Sequence, residues 1–158
     1  MLFRSTIVTR KPVFGDDRVF TTAQLARQAL FREAAAYARA ARHNPVYARL
    51  ALGTPRNAYN LAISDWLHPP EILAMDLAAW DGQAGQIIRV KACDDVLVTG
   101  LTVAIIDIWG SVLERGPATQ VSELWWEYTT RSAAGPSARV LACAQDLPGH
   151  TVQLERTK

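Results

Sequence analysis

The side chains of this chain best suited to chemistry are four aspartates at strand ends, three isolated histidines and two cysteines. Asp94, Asp95, Asp107 and Asp146 each border a turn signal. Carboxylates gathered at one pole of a β-sandwich can hold a calcium ion, which takes six to eight oxygen ligands. The same residues also form turns by bonding their own backbone, and that reading is preferred. Asp94, Asp95 and Asp146 are therefore kept as weak metal candidates, and no cofactor is expected. His43, His68 and His150 stand singly at helix ends or a turn, with no Cys, Asp or Glu at ligand spacing on the same element. Cys93 and Cys143 match no common zinc spacing. No glycine-rich phosphate loop and no Ser, His and Asp set with supporting context is found, so an enzyme is not expected.

The elements that position these residues follow from periodicity. Residues 1–20 read as an extended arm whose Phe3, Ile7 and Phe14 are too apolar to leave in water. Thr21 or Thr22 caps a helix running to about His43, with Leu30, Ala34, Tyr37 and Ala41 on its buried line and Phe31 and Ala38 alongside. Asn44-Pro45 opens a short second helix to Leu52. Thr54-Pro55 opens a third to Leu67, with Tyr59, Ala62, Ile63 and Trp66 inward. From Glu71 the pattern becomes seven strands, over 71–79, 86–93, 96–107, 112–118, 124–131, 138–145 and 151–156.

The stretch Leu101 to Asp107 reads as the central strand, with Leu101, Val103 and Ile105 on one side and Thr102, Ala104 and Ile106 on the other. With apolar residues on both sides, the second side calls for a cover, either the N-terminal helices or a neighbouring copy. Trp125 and Trp126 are adjacent and must face opposite ways, Trp126 inward with Tyr128 and Trp125 outward. Ile108 and Trp109 occupy a hairpin tip, a place normally given to polar residues.

The segments IIRVKACDDVLVTGLTVAIIDIWGSVLERGPAT, WWEYTT and ARVLACAQDLPGH resemble bacterial immunoglobulin-like and fibronectin type III-like domains, over about residues 71–156. The A-x-D-D and D-x-x-G turns carry that likeness. The whole chain, with HNPVYARLALGTPRNAYNLAISDWLHPPEI ahead of the sandwich, is also similar to a bacterial protein family with a helical N-terminal segment. The resemblance implies an α+β chain of about three helices and an immunoglobulin-like antiparallel β-sandwich: an arm at 1–20, helices at 21–70, a sandwich at 71–158. It also makes a Cys93–Cys143 disulfide conceivable. Alternation argues against the bridge, because Cys93 shares a pleat side with Arg89 and Lys91, and Cys143 one with Arg139.

Net charge is +2 over 158 residues, but it is segregated. Residues 1–70 hold ten Lys/Arg against four Asp/Glu, and residues 71–158 hold seven against eleven. The expected function is a non-enzymatic structural or adaptor subunit that self-associates into a homo-oligomer or filament. Its contacts would be Phe3, Ile7, Phe14, Ala104, Ile106, Ile108, Trp109 and Trp125, with the basic half meeting the acidic half. Nucleic-acid binding through Arg27, Arg32, Arg39, Arg42, Arg49 and Arg56 is the alternative. An exported calcium- or carbohydrate-dependent module is the third. The first residues, MLFRSTIVTRKPVFG, lack an apolar run long enough for a signal peptide, and no window approaches a membrane span, so a cytoplasmic location is expected.

Overall fold

The computed structural model describes residues 19–158. The arm and its Phe3, Ile7 and Phe14 lie outside the described residues, apart from Val19 and Phe20. Three helices come first: α1 (Thr22–Ala41), α2 (Pro45–Ala51) and α3 (Ala58–Leu67). Thr21 caps α1 with a reciprocal pair: its hydroxyl accepts from the Gln24 amide at 3.3 Å while its own amide donates to Gln24 Oε1 at 2.9 Å. Asn44 caps α2 ahead of Pro45. The third helix starts later than the Thr54-Pro55 signal predicts. The Thr54 hydroxyl donates to the Ala51 carbonyl at 2.9 Å and so closes α2, and Asn57 takes the capping role, accepting from the Asn60 amide at 2.8 Å.

Eight strands follow, not seven: β1 (Glu71–Asp76), β2 (Ile87–Cys93), β3 (Gly100–Ile106), β4 (Val112–Pro117), β5 (Thr119–Gln120), β6 (Trp125–Thr129), β7 (Arg139–Gln145) and β8 (Thr151–Thr157). They form two antiparallel sheets ordered β1-β2-β6-β5 and β4-β3-β7-β8, an immunoglobulin-like strand order with one extra edge strand beside β3. Alternation operates as expected. Ile88, Val90 and Ala92 of β2 face Leu101, Val103 and Ile105 of β3 and Val140, Ala142 and Ala144 of β7 across a single core, joined by Trp126 and Tyr128. Each fully buried Val, Leu or Ile side chain there contributes about 1.5–3 kcal/mol. Cys93 and Cys143 are half-buried free thiols on outward pleat positions, and burial pushes the Cys93 thiol pKa up.

The expectation that the helices cover the second side of β3 is corrected. The helices do not lie on that sheet face; they sit on one pole of the sandwich. Their core of Ala38, Tyr47, Leu61 and Ala62 packs against Val96 and Leu147, which belong to the β2–β3 and β7–β8 loops. On the outer face of β3, Thr102 is exposed and Ile106 half-buried. Ala104 is buried at 2% exposure, standing in register between Arg115 of β4 and Leu141 of β7. Long neighbours on a pleated face close over a methyl group, so Ala104 is covered within its own sheet.

The loop before β2 is fixed by Gly82. Its φ is +102°, its carbonyl accepts from the Ala134 amide at 2.8 Å, and a Cβ there would stand 2.6 Å from the Ala134 carbonyl oxygen. Gly82→Ala is expected to destabilise the fold by about 1–3 kcal/mol, read as a lower urea midpoint.

Candidate functional site

The helix-bearing pole gathers three aspartates from three different elements. Asp65 comes from the inward face of α3, Asp94 from the turn after β2 and Asp146 from the turn after β7. One carboxylate oxygen of each lies within 4.8 Å of the others. Asp65 is 0% exposed. Its Oδ2 accepts a short hydrogen bond from the Tyr47 hydroxyl, which in turn pairs with the Tyr37 hydroxyl at 2.7 Å. Asp94 Oδ1 accepts from the amides of Val96 at 2.7 Å and Leu97 at 2.9 Å. Asp146 Oδ1 accepts from Gly149 at 2.8 Å and His150 at 2.6 Å, and its Oδ2 pairs with His150 Nδ1 at 2.9 Å. The His150 ring packs edge-on to Trp66 with centroids 4.9 Å apart, and Trp66 lies against Tyr37 at 5.0 Å.

The electrostatics follow from burial. Removal from water is the largest cause raising the Asp65 carboxyl pKa from 3.8 to about 7; the Tyr47 hydrogen bond opposes it and the neighbouring Asp94 adds to it. Burial, then the hydrogen bond to Asp65, lifts the Tyr47 phenol far above its ordinary value, and burial raises Tyr37 as well. Asp65 Oδ1 and Asp94 Oδ2 are buried without a hydrogen-bond partner.

Of the four aspartates singled out from the sequence, this pole unites only Asp94 and Asp146. Asp95 is exposed, accepts from the Ser64 hydroxyl at 2.9 Å and lies 3.1 Å from His68 Nδ1. Asp107 lies at the opposite pole, where its Oδ1 accepts from the amides of Trp109 and Ser111 at 2.9 and 2.8 Å. The reading of His150 as lacking a carboxylate at ligand spacing on its own element is corrected by Asp146, four residues away on the same turn, whereas His68 meets Asp95 from a different element. Asp65, Tyr37 and Tyr47 were missed. The available signal was the helical spacing of Leu61, Ala62 and Asp65, which puts a carboxylate on the buried stripe of α3.

The opposite pole carries apolar surface. Trp109 is 83% exposed and Ile108 58%, at the tip of the β3–β4 hairpin. A groove of about 430 Å³ is lined there by Ile108, Trp109, Leu113, Ala133, Pro136 and Ala138. Of the other expected contact residues, Ala104 is too buried to offer surface, Ile106 is half-buried, and Trp125 is half-covered with the Lys91 ammonium 5.9 Å from its ring centre. Arg27, Arg32, Arg39, Arg42, Arg49 and Arg56 are all exposed. They are spread over α1, α2 and two loops, and on α1 Arg27 and Arg32 point about 140° apart around the axis, so they form no single phosphate-tracking stripe. No described helix is long and apolar enough to cross a membrane.

No protein-family model matches the chain, and no curated protein does, so the likeness of the whole chain to a bacterial family with a helical segment finds no support. Among solved structures, CopC from Methylosinus trichosporium is similar at 16% identity, covering 56% of this chain and 89% of that one, with a TM-score of 0.42. A conjugative transposon lipoprotein from Bacteroides eggerthii is similar at 14% identity, covering 56% and 92%, with a TM-score of 0.31. A lipoprotein from Bacteroides thetaiotaomicron is similar at 18% identity, covering 57% and 77%, with a TM-score of 0.32. The expected cytoplasmic location is corrected and withdrawn: it rested on the lack of an apolar leader and of a membrane span, neither of which locates a protein, and two of the similar structures are lipoproteins. What the chain itself presents is a β-sandwich with a helical cap on one pole and an apolar hairpin on the other.

Proposed function

We propose that the chain is a non-enzymatic binding or adaptor subunit that associates with further copies of itself through the β3–β4 hairpin. The single observation that carries this is the exposed Trp109 beside Ile108 over an apolar groove, because a tryptophan left this open usually finds a protein surface. The occupant is the first half of α1 from a second copy. That helix leaves Leu25, Leu30 and Phe31 in solvent and buries only Ala34 and Ala38, both in its second half. It also belongs to the basic half of the chain, whereas the hairpin belongs to the acidic half. Hairpin against helix is a contact between two different patches, which yields a ring where the rotation closes and a filament where it does not.

Sedimentation equilibrium of the purified chain tests this. The wild type associates at micromolar concentration, and Trp109→Ser weakens association roughly 30-fold or more, the loss expected for a central aromatic contact. Phe31→Ser on the other patch has the same effect. A wild type that stays monomeric at high concentration in low salt removes the reading.

A further inference from the structure

We infer that Asp65, Asp94 and Asp146 form a binding site for one hard divalent cation of the calcium class, seated between α3 and the pole of the sandwich. Two independent observations meet here. Three carboxylates from three elements converge to within 4.8 Å. In addition, Asp65 is wholly buried, yet its Oδ1 has no donor, and its carboxyl lies within hydrogen-bonding reach of Asp94, whose Oδ2 is likewise buried without a donor. A buried carboxylate oxygen with no donor is an unsatisfied group, and among converging like charges a bound cation satisfies it in place of a shared proton.

The geometry suits calcium. Oxygens held 2.3–2.6 Å from a common centre stand roughly 3.3 Å apart at right angles and up to about 5 Å apart when opposed. Each carboxylate is already oriented by its partners: Tyr47 for Asp65, the Val96 and Leu97 amides for Asp94, and the Gly149 and His150 amides with the His150 imidazole for Asp146. Oriented acidic oxygens with no thiolate offered favour a hard ion over a soft one. Because Asp65 belongs to the helical segment and the other two to sandwich loops, the ion ties the two together. This site stands apart from the hairpin reading and does not depend on it.

The test uses the full chain freed of metal by a chelator that is then removed. Calorimetric titration with Ca²⁺ is expected to show one ion per chain. Tb³⁺ is expected to luminesce on excitation of Trp66, whose ring lies against His150, and Ca²⁺ is expected to displace it. Asp94→Asn weakens Ca²⁺ binding at least tenfold while circular dichroism shows a folded chain, and Asp65→Asn, which keeps an acceptor for Tyr47, does the same. Asp95→Asn, on the exposed neighbour, leaves binding unchanged. The inference is overturned by an absence of Ca²⁺-displaceable Tb³⁺ emission, by Asp94→Asn and Asp65→Asn binding as tightly as the wild type, or by Asp95→Asn weakening binding as much as Asp94→Asn.

Discussion

In the presence of a chelator, the chain is expected to lose stability as pH rises from 4 to 8, and Asp65→Asn is expected to remove that loss. The folded Asp65 carboxyl titrates at about 7 against 3.8 when solvated. Between those values the native state holds a proton that the unfolded chain has released, so stability falls with rising pH. The contribution is fully present below about pH 4 and is gone once pH has passed through about 7. The full difference corresponds to on the order of 4 kcal/mol, because each pH unit of displacement is worth about 1.4 kcal/mol. Urea midpoints of the wild type and Asp65→Asn at pH 5 and pH 8 measure it: the two proteins diverge at one pH and converge at the other. Parallel curves would mean that Asp65 ionises as an ordinary surface carboxylate does.

Ile105→Ala is expected to cost 2–5 kcal/mol, the range for truncating a buried isoleucine and leaving its cavity. Ile105 is fully enclosed, on the inner face of β3 between Glu114 and Val140 in register, and belongs to the one core both sheets share. Thr102→Ala, on the exposed face of the same strand, changes stability by less than about 0.5 kcal/mol. Denaturant unfolding of both variants separates the faces. A loss below about 1 kcal/mol for Ile105→Ala would mean that β3 is not the strand the core is built on.

The sandwich was readable because its signals are local. Ile88, Arg89, Val90 and Lys91 alternate in and out, and β2 obeys that alternation; Trp126 and Tyr128 face inward while Trp125 and Glu127 face outward on β6. The Asn44-Pro45 pair opened α2 as its chemistry requires. What was misread depends on partners distant in sequence. The strand expected from Val96 starts only at Gly100, because Asp94 takes the amides of Val96 and Leu97 into a turn and withholds them from the ladder. Asp65 was not singled out, because nothing next to it in sequence marks it: Tyr47 from another helix and two loop aspartates enclose it. The position of the helices turned on Val96 and Leu147, apolar residues in loops that alternation alone cannot place. The apolar line of α1 was half right: Ala34 and Ala38 are buried, but Phe31 and Leu30 stay in solvent because no described element lies beneath the first half of the helix.

The helical cap and the tryptophan hairpin sit at opposite ends of β3, whose seven residues span about 20 Å. Groups that far apart with no shared neighbours respond to substitution independently, so a change at Asp94 and a change at Trp109 should combine additively in any stability measurement. The molecule is thus wired as two separate terminals on one rigid bar: whatever engages the cap leaves the hairpin free for a different engagement at the same time.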